Sequence, residues 1–74
     1  MLTGTRFRLK ERTLAIESIE CERRAVSIPA GAIIEILSGN DRTVDVLWET
    51  RRLEIFTVDV KIRGIEIKQR VAQA

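Results

Sequence analysis

Ten arginines are spread along the 74-residue chain, against three lysines, and they are the side chains best equipped to do chemistry. A guanidinium offers a planar fork of donors that matches a carboxylate or a phosphate. Three groups stand out: Arg6 and Arg8 with Lys10, Arg23 with Arg24, and Arg51 with Arg52. Together they form a candidate phosphate-gripping set for RNA or DNA. A competing reading pairs them with Glu20, Glu22, Glu49 and Glu54 on a solvated surface. The net charge of +2, the absence of tyrosine and the single tryptophan favour that second reading, because single-stranded nucleic acid is usually held by exposed aromatics over a basic groove.

Catalytic chemistry has little to work with. The chain contains no histidine, which removes Ser–His and Cys–His nucleophiles and imidazole metal ligation. Its one cysteine, Cys21, cannot build a zinc site or an internal disulfide and reads as a small, partly buried hydrophobe. Gly4, Gly31, Gly39 and Gly64 are scattered at turns and form no phosphate loop. Glu20 and Glu22 are spaced as an acid–base pair but fall in a solvated turn without a pocket. The expectation is a non-enzymatic protein with no catalytic residues, no metal, no cofactor and no small-molecule substrate.

A second candidate set is apolar. Ile19, Ile33, Leu37 and Leu47 fall on the outward phase of their strands. They suit a protein interface, either self-association or strand addition at a free edge, or else a small second core under the N-terminal hairpin.

These residues need strands to position them. Thr5 to Lys10 alternates, with Phe7 and Leu9 inward, and a bulge or turn over residues 10–13 shifts the phase. Thr13 to Ile19 resumes with Leu14 and Ile16 inward. Residues 11–24 also carry helical spacing, so a hairpin turning near Glu20-Cys21-Glu22 is favoured while the helix stays open. Val26 and Ile28 lead to a Pro29-Ala-Gly31 corner in which Pro29 suits the second turn position. Beyond it Ala32, Ile34 and Ile36 share a face. After the loop Ser38-Gly-Asn-Asp41, Val44, Val46 and Trp48 point inward, and a turn near Glu49-Thr50-Arg51 leads to Leu53 and Ile55. A strong bend or bulge at Ile55-Phe56 would place Phe56, Val58 and Val60 together, and Asp59 to Arg63 fits one helical turn released by Gly64. Ile65 and Ile67 make the last strand.

The segments Ile28-Pro-Ala-Gly31, Val44-Asp-Val-Leu-Trp48 to Leu53-Glu-Ile-Phe56, and Asp59-Val-Lys-Ile-Arg-Gly64 give the chain an order that resembles the SH3-like small β-barrels. The resemblance implies an all-β fold, a five- to six-stranded barrel with one short helical turn before the last strand. It assigns residues 1–68 to one domain and residues 69–74 to a flexible C-terminal tail. Proline-peptide-binding members of that superfamily present an aromatic-rich groove, and the Sm-like barrels bind RNA with loop histidines and stacking residues; neither set has a counterpart here. Residues 1–10 contain no apolar signal core and no window approaches a membrane span, so a cytoplasmic location without membrane contact is expected. The function expected is a protein-interaction or assembly module, quite naturally a homo-oligomer, with a nucleic-acid-binding barrel as the alternative.

Overall fold

The computed structural model describes residues 3–68; residues 69–74, expected to form a flexible tail, lie outside the described residues. Seven strands and one helix follow the order β1 (Arg6–Leu9), β2 (Thr13–Ile19), β3 (Glu22–Ile28), β4 (Ile33–Gly39), β5 (Thr43–Trp48), β6 (Arg51–Phe56), α1 (Thr57–Arg63) and β7 (Gly64–Ile67). All pair antiparallel in one sheet of order β3-β2-β6-β5-β4-β1-β7. Seven strands appear where the resemblance implied five or six, and residues 13–28 form the favoured hairpin in full, with two seven-residue arms.

The end strands β3 and β7 do not pair with one another, so the closed barrel expected from the sequence is replaced by one open, curled sheet. The curl is visible in the core. Phe7 and Leu9 of β1 join Ala15 of β2 and Ile28 of β3 in one buried cluster, although three strands separate β1 from β2 in the ladder. Ile34, Ile36, Val44, Val46, Leu53 and Ile55 fill the middle, and Val60 of α1 closes one end. Trp48 is half-buried against this cluster on the inner side, as its phase requires.

Several local expectations shift by a residue or a face. Leu14 and Ile16, expected inward, point outward, and Thr13, Ala15 and Glu17 are buried instead. Pairing with β6 dictates this: Ile16 stands opposite Glu54, and Glu54 is outward because Leu53 and Ile55 are in the core. Between β1 and β2 the chain turns over Lys10 to Arg12 rather than bulging. At the Pro29 corner Ala32 donates to the Pro29 carbonyl at 3.2 Å, so Pro29 occupies the first turn position, not the second. Gly31, at φ +89°, takes the third position that a type II turn reserves for glycine. The bulge lies in β4 between Ile36 and Ser38, not at Ile55-Phe56. At Phe56 the strand ends and α1 begins, two residues earlier than expected; Val60 is buried while Phe56 and Val58 are exposed, so these three do not share a face.

Side-chain hydrogen bonds set that helix start. Asn40 Oδ1 accepts from the Arg42 and Thr43 amides at 2.8 and 3.1 Å, folding the β4–β5 loop on itself. Thr57 donates from Oγ1 to the Asn40 carbonyl at 2.8 Å and from its amide to Arg42 at 2.9 Å. The loop therefore anchors the first turn of α1, which lacks a side-chain N-cap.

The hairpin is confirmed over the helix for residues 13–28. Ile19 stands opposite Glu22, leaving Glu20 and Cys21 as a two-residue turn with φ of 50° and 68°. Both central residues occupy the left-handed region, the I′ pattern for which Asn-Gly is the favoured sequence. Exchanging Glu20→Asn together with Cys21→Gly is expected to raise stability by about 1 kcal/mol, since non-glycine residues pay about 1–2 kcal/mol each in this region. A melting temperature that stays level or falls would show that the tip relaxes without strain.

Candidate interaction surface

Strand alternation decides which arginines can act together. Arg23 and Arg24 lie on opposite faces of β3, and Arg51 and Arg52 on opposite faces of β6, so the six candidates do not form one patch. Three of them are committed to carboxylates. Arg23 Nη2 donates to Glu54 Oε1 at 2.8 Å, and Arg52 Nη2 approaches Asp45 Oδ2 at 3.5 Å. Both pairs are exposed and worth about 0.2–1 kcal/mol each. Of the expected acidic partners only Glu54 is used; Glu20, Glu22 and Glu49 form no ion pair among the described residues.

The third pair is built differently. Glu17, on the inner side of β2, accepts from Arg51 Nε at 3.1 Å and from Arg51 Nη2 at 2.7 Å, a bidentate bridge. The Arg51 guanidinium also sits 5.6 Å from the Trp48 ring centre, as a cation–π contact. Its hydrogen bonds hold the Glu17 carboxyl below the ordinary value of 4.5; burial pushes the other way, and the charges of Arg51 and Arg24 add to the lowering. A carboxyl whose folded pKa lies below its unfolded pKa contributes stability above the unfolded value, and that contribution fades as pH falls through the folded one. Glu17→Gln is therefore expected to be destabilising near about pH 7 and progressively less so as pH falls below the ordinary carboxyl value, as read by urea unfolding near about pH 7 and about pH 3. Equal losses at the two pH values would show that the bridge contributes nothing beyond packing. This bridge fastens the hairpin to β6 and is structural.

Arg6 and Arg8 are placed otherwise. Phe7 and Leu9 point into the core, so Arg6 and Arg8 point out. Register brings their neighbours alongside: Arg6 stands between Glu35 of β4 and Ile67 of β7, and Arg8 between Ile33 of β4 and Ile65 of β7. One strand further, Leu47 of β5 stands opposite Glu35. The outward face of β5-β4-β1-β7 thus unites Ile33 and Leu47 with Arg6 and Arg8, residues that belonged to two separate sets in the sequence. Ile33 is 49% exposed and Ile65 44%. Arg6, Arg8 and Glu35 form no ion pair among the described residues.

The other two members of the apolar set are placed differently. Leu37 is half-buried at the β4 bulge, where its carbonyl accepts from Thr3 Oγ1 at 3.1 Å. Ile19 is exposed at the far end of the β2–β3 hairpin, on the side shared with Glu17, away from Ile33 and Leu47. It therefore does not belong to their face.

A second apolar patch went unseen in the sequence. Leu14 and Phe56, each 59% exposed, rim a shallow groove of about 120 Å³ with Ile16 and Ile55, bordered by Arg23 and Glu54. The inverted face of β2 hid it: the alternation of Leu14 and Ile16 signals burial, and only the long-range pairing of Ile16 with Glu54 reverses it. Val58 and Ile62, one helical turn apart on α1, are also exposed. No helix among the described residues is long and apolar enough to cross a membrane.

Compared with protein-family models, curated proteins and solved structures, the chain matches none.

Proposed function

We propose that this chain is a non-enzymatic protein-interaction module, its strand order related to the SH3-like folds but its sheet open, and that it docks through the outward face of β5-β4-β1-β7. The observation that carries this reading is the placement of Arg6 and Arg8, free of ion pairs among the described residues, between Ile33, Leu47, Ile65 and Ile67. Of the other candidate arginines, Arg23, Arg51 and Arg52 are bound to neighbouring carboxylates and have less to offer a ligand, while Arg24 forms no ion pair among the described residues but stands on the end strand β3, away from an apolar face. Apolar area flanked by available charge is what a polar-rimmed protein interface requires. The same two arginines support the alternative, a nucleic-acid-binding role, which would draw on phosphate contacts and weaken steeply with salt.

An anionic apolar dye, anilinonaphthalene sulfonate, separates the readings when tested beside a labelled single-stranded oligonucleotide at low salt. The native protein at low micromolar concentration is expected to bring up the dye's fluorescence. Ile33→Glu with Ile65→Glu should abolish that response, and the oligonucleotide should fail to bind. Oligonucleotide binding that is removed by Arg6→Glu with Arg8→Glu, or a dye that ignores this face, would overturn the docking reading.

A further inference from the structure

Across β5, β4, β1 and β7 the outward row reads Leu47, Glu35, Arg6, Ile67. Its ends are aliphatic, and its two middle members carry opposite charges. Reversed, the row is complementary to itself. A two-fold axis parallel to the strands and lying between β4 and β1 sets Glu35 against Arg6 of a second copy at the crest of the curled face, with Leu47 flanking that copy's Ile67. In the adjoining row the aliphatic stem of Arg8 meets Ile33 of the second copy. We infer that the occupant of this docking face is a second copy of the same chain, held back to back in a two-fold dimer. The inference rests on the docking reading above and names its partner.

Charge availability favours this surface over the alternatives. Arg6 and Glu35 are direct cross-strand neighbours, yet neither forms an ion pair among the described residues. Around Leu14 and Phe56, by contrast, Arg23 is held by Glu54 and Arg63 lies 3.9 Å from Asp59, which leaves those charges less free to select a partner. The free edges are blunted as well. Strand β3 presents Glu22, Arg23 and Arg24 in succession, and β7 is only four residues long.

Size sets the strength. Four strands about 4.8 Å apart, over about two outward rows, give a footprint on the order of 250 Å². Stable complexes bury about 800 Å² per partner, so this dimer is a weak one.

The test is the molar mass by light scattering, from about 10 µM to about 1 mM. The native mass is expected to rise from monomer towards dimer across that range. Arg6→Glu and Glu35→Arg should each weaken association by at least about tenfold, and the double reversal should bring it back close to the native value. Arg6 is exposed and Glu35 half-buried on the outward face, so thermal melts of all three variants serve as the check that they fold. A native mass that stays monomeric to the top of the range overturns the inference; so does association that ignores both reversals, and so does a double variant no better than the singles. If the dye still binds this face while the mass stays monomeric, the second copy is wrong and the docking face survives. A dye that ignores the face removes both.

Discussion

Shortening Ile34 to alanine is expected to cost about 2–5 kcal/mol, measured by urea unfolding. Ile34 is fully buried, in the strand between β1 and β5, and lies in the cluster that ties the two ends of the ladder together. At about 0.05–0.15 kcal/mol per residue, a domain of this size has roughly 4–11 kcal/mol of stability to lose. The variant should therefore lose a large share of that margin, whereas Ile34→Val should cost about 0.5–1.5 kcal/mol. With no disulfide and a small core, little else can compensate. A loss under about 1 kcal/mol for the alanine variant would mean that the curled sheet closes over the gap, and the single-core account would fail.

The second large effect comes from Gly64→Ala. Gly64 has φ −100° and ψ 145°, ordinary extended backbone, so its need for glycine is not conformational. It is steric: a Cβ at this position would lie 2.6 Å from the Val60 carbonyl oxygen and 3.1 Å from Phe7 Cδ2. The Val60 carbonyl is the acceptor for the Gly64 amide that ends α1, so it cannot yield without opening that bond. The expected cost is about 1–3 kcal/mol, with the junction between α1 and β7 loosened. Gly31→Ala is the control. There the space is open and only φ of +89° opposes the methyl, so about 1–2 kcal/mol is expected from backbone strain alone. Amide exchange separates them: Gly64→Ala should speed exchange in β7, and Gly31→Ala should not. An unchanged melting temperature for Gly64→Ala would contradict the contact.

Short-range signals accounted for much of the architecture. The alternation of Val44 and Val46 marked β5 correctly, the Pro29 corner separated β3 from β4, and the two-residue turn at Glu20-Cys21 emerged from the better of two readings. What stayed hidden was set by pairing over long sequence distances. Leu14 and Ile16 look like core residues until β6 fixes the register of β2, and the carboxylate that buries itself in their place, Glu17, finds its arginine 34 residues away. Open ladder ends are equally illegible, because alternation reports which face is covered and not which strand comes next. The candidate surface shows the same division. Each of Arg6, Arg8, Ile33 and Leu47 had the correct outward phase, but only the pairing of β1 with β4, and of β4 with β5, puts them on one face.

Strands β1 and β7 lie at opposite ends of the described chain and are neighbours in the sheet, with Arg6 opposite Ile67. Tension applied through handles at Thr3 and Lys68 would thus act on two antiparallel strands from the same end. The hydrogen bonds between them would be loaded one after another, as in a zipper, and not all together in shear. Such a molecule yields at low force, starting at Arg6 and Ile67 and running towards Leu9 and Gly64. The outward row Leu47, Glu35, Arg6, Ile67 crosses the first pair to part, so a pull on the ends would dismantle the docking face before it reached the core.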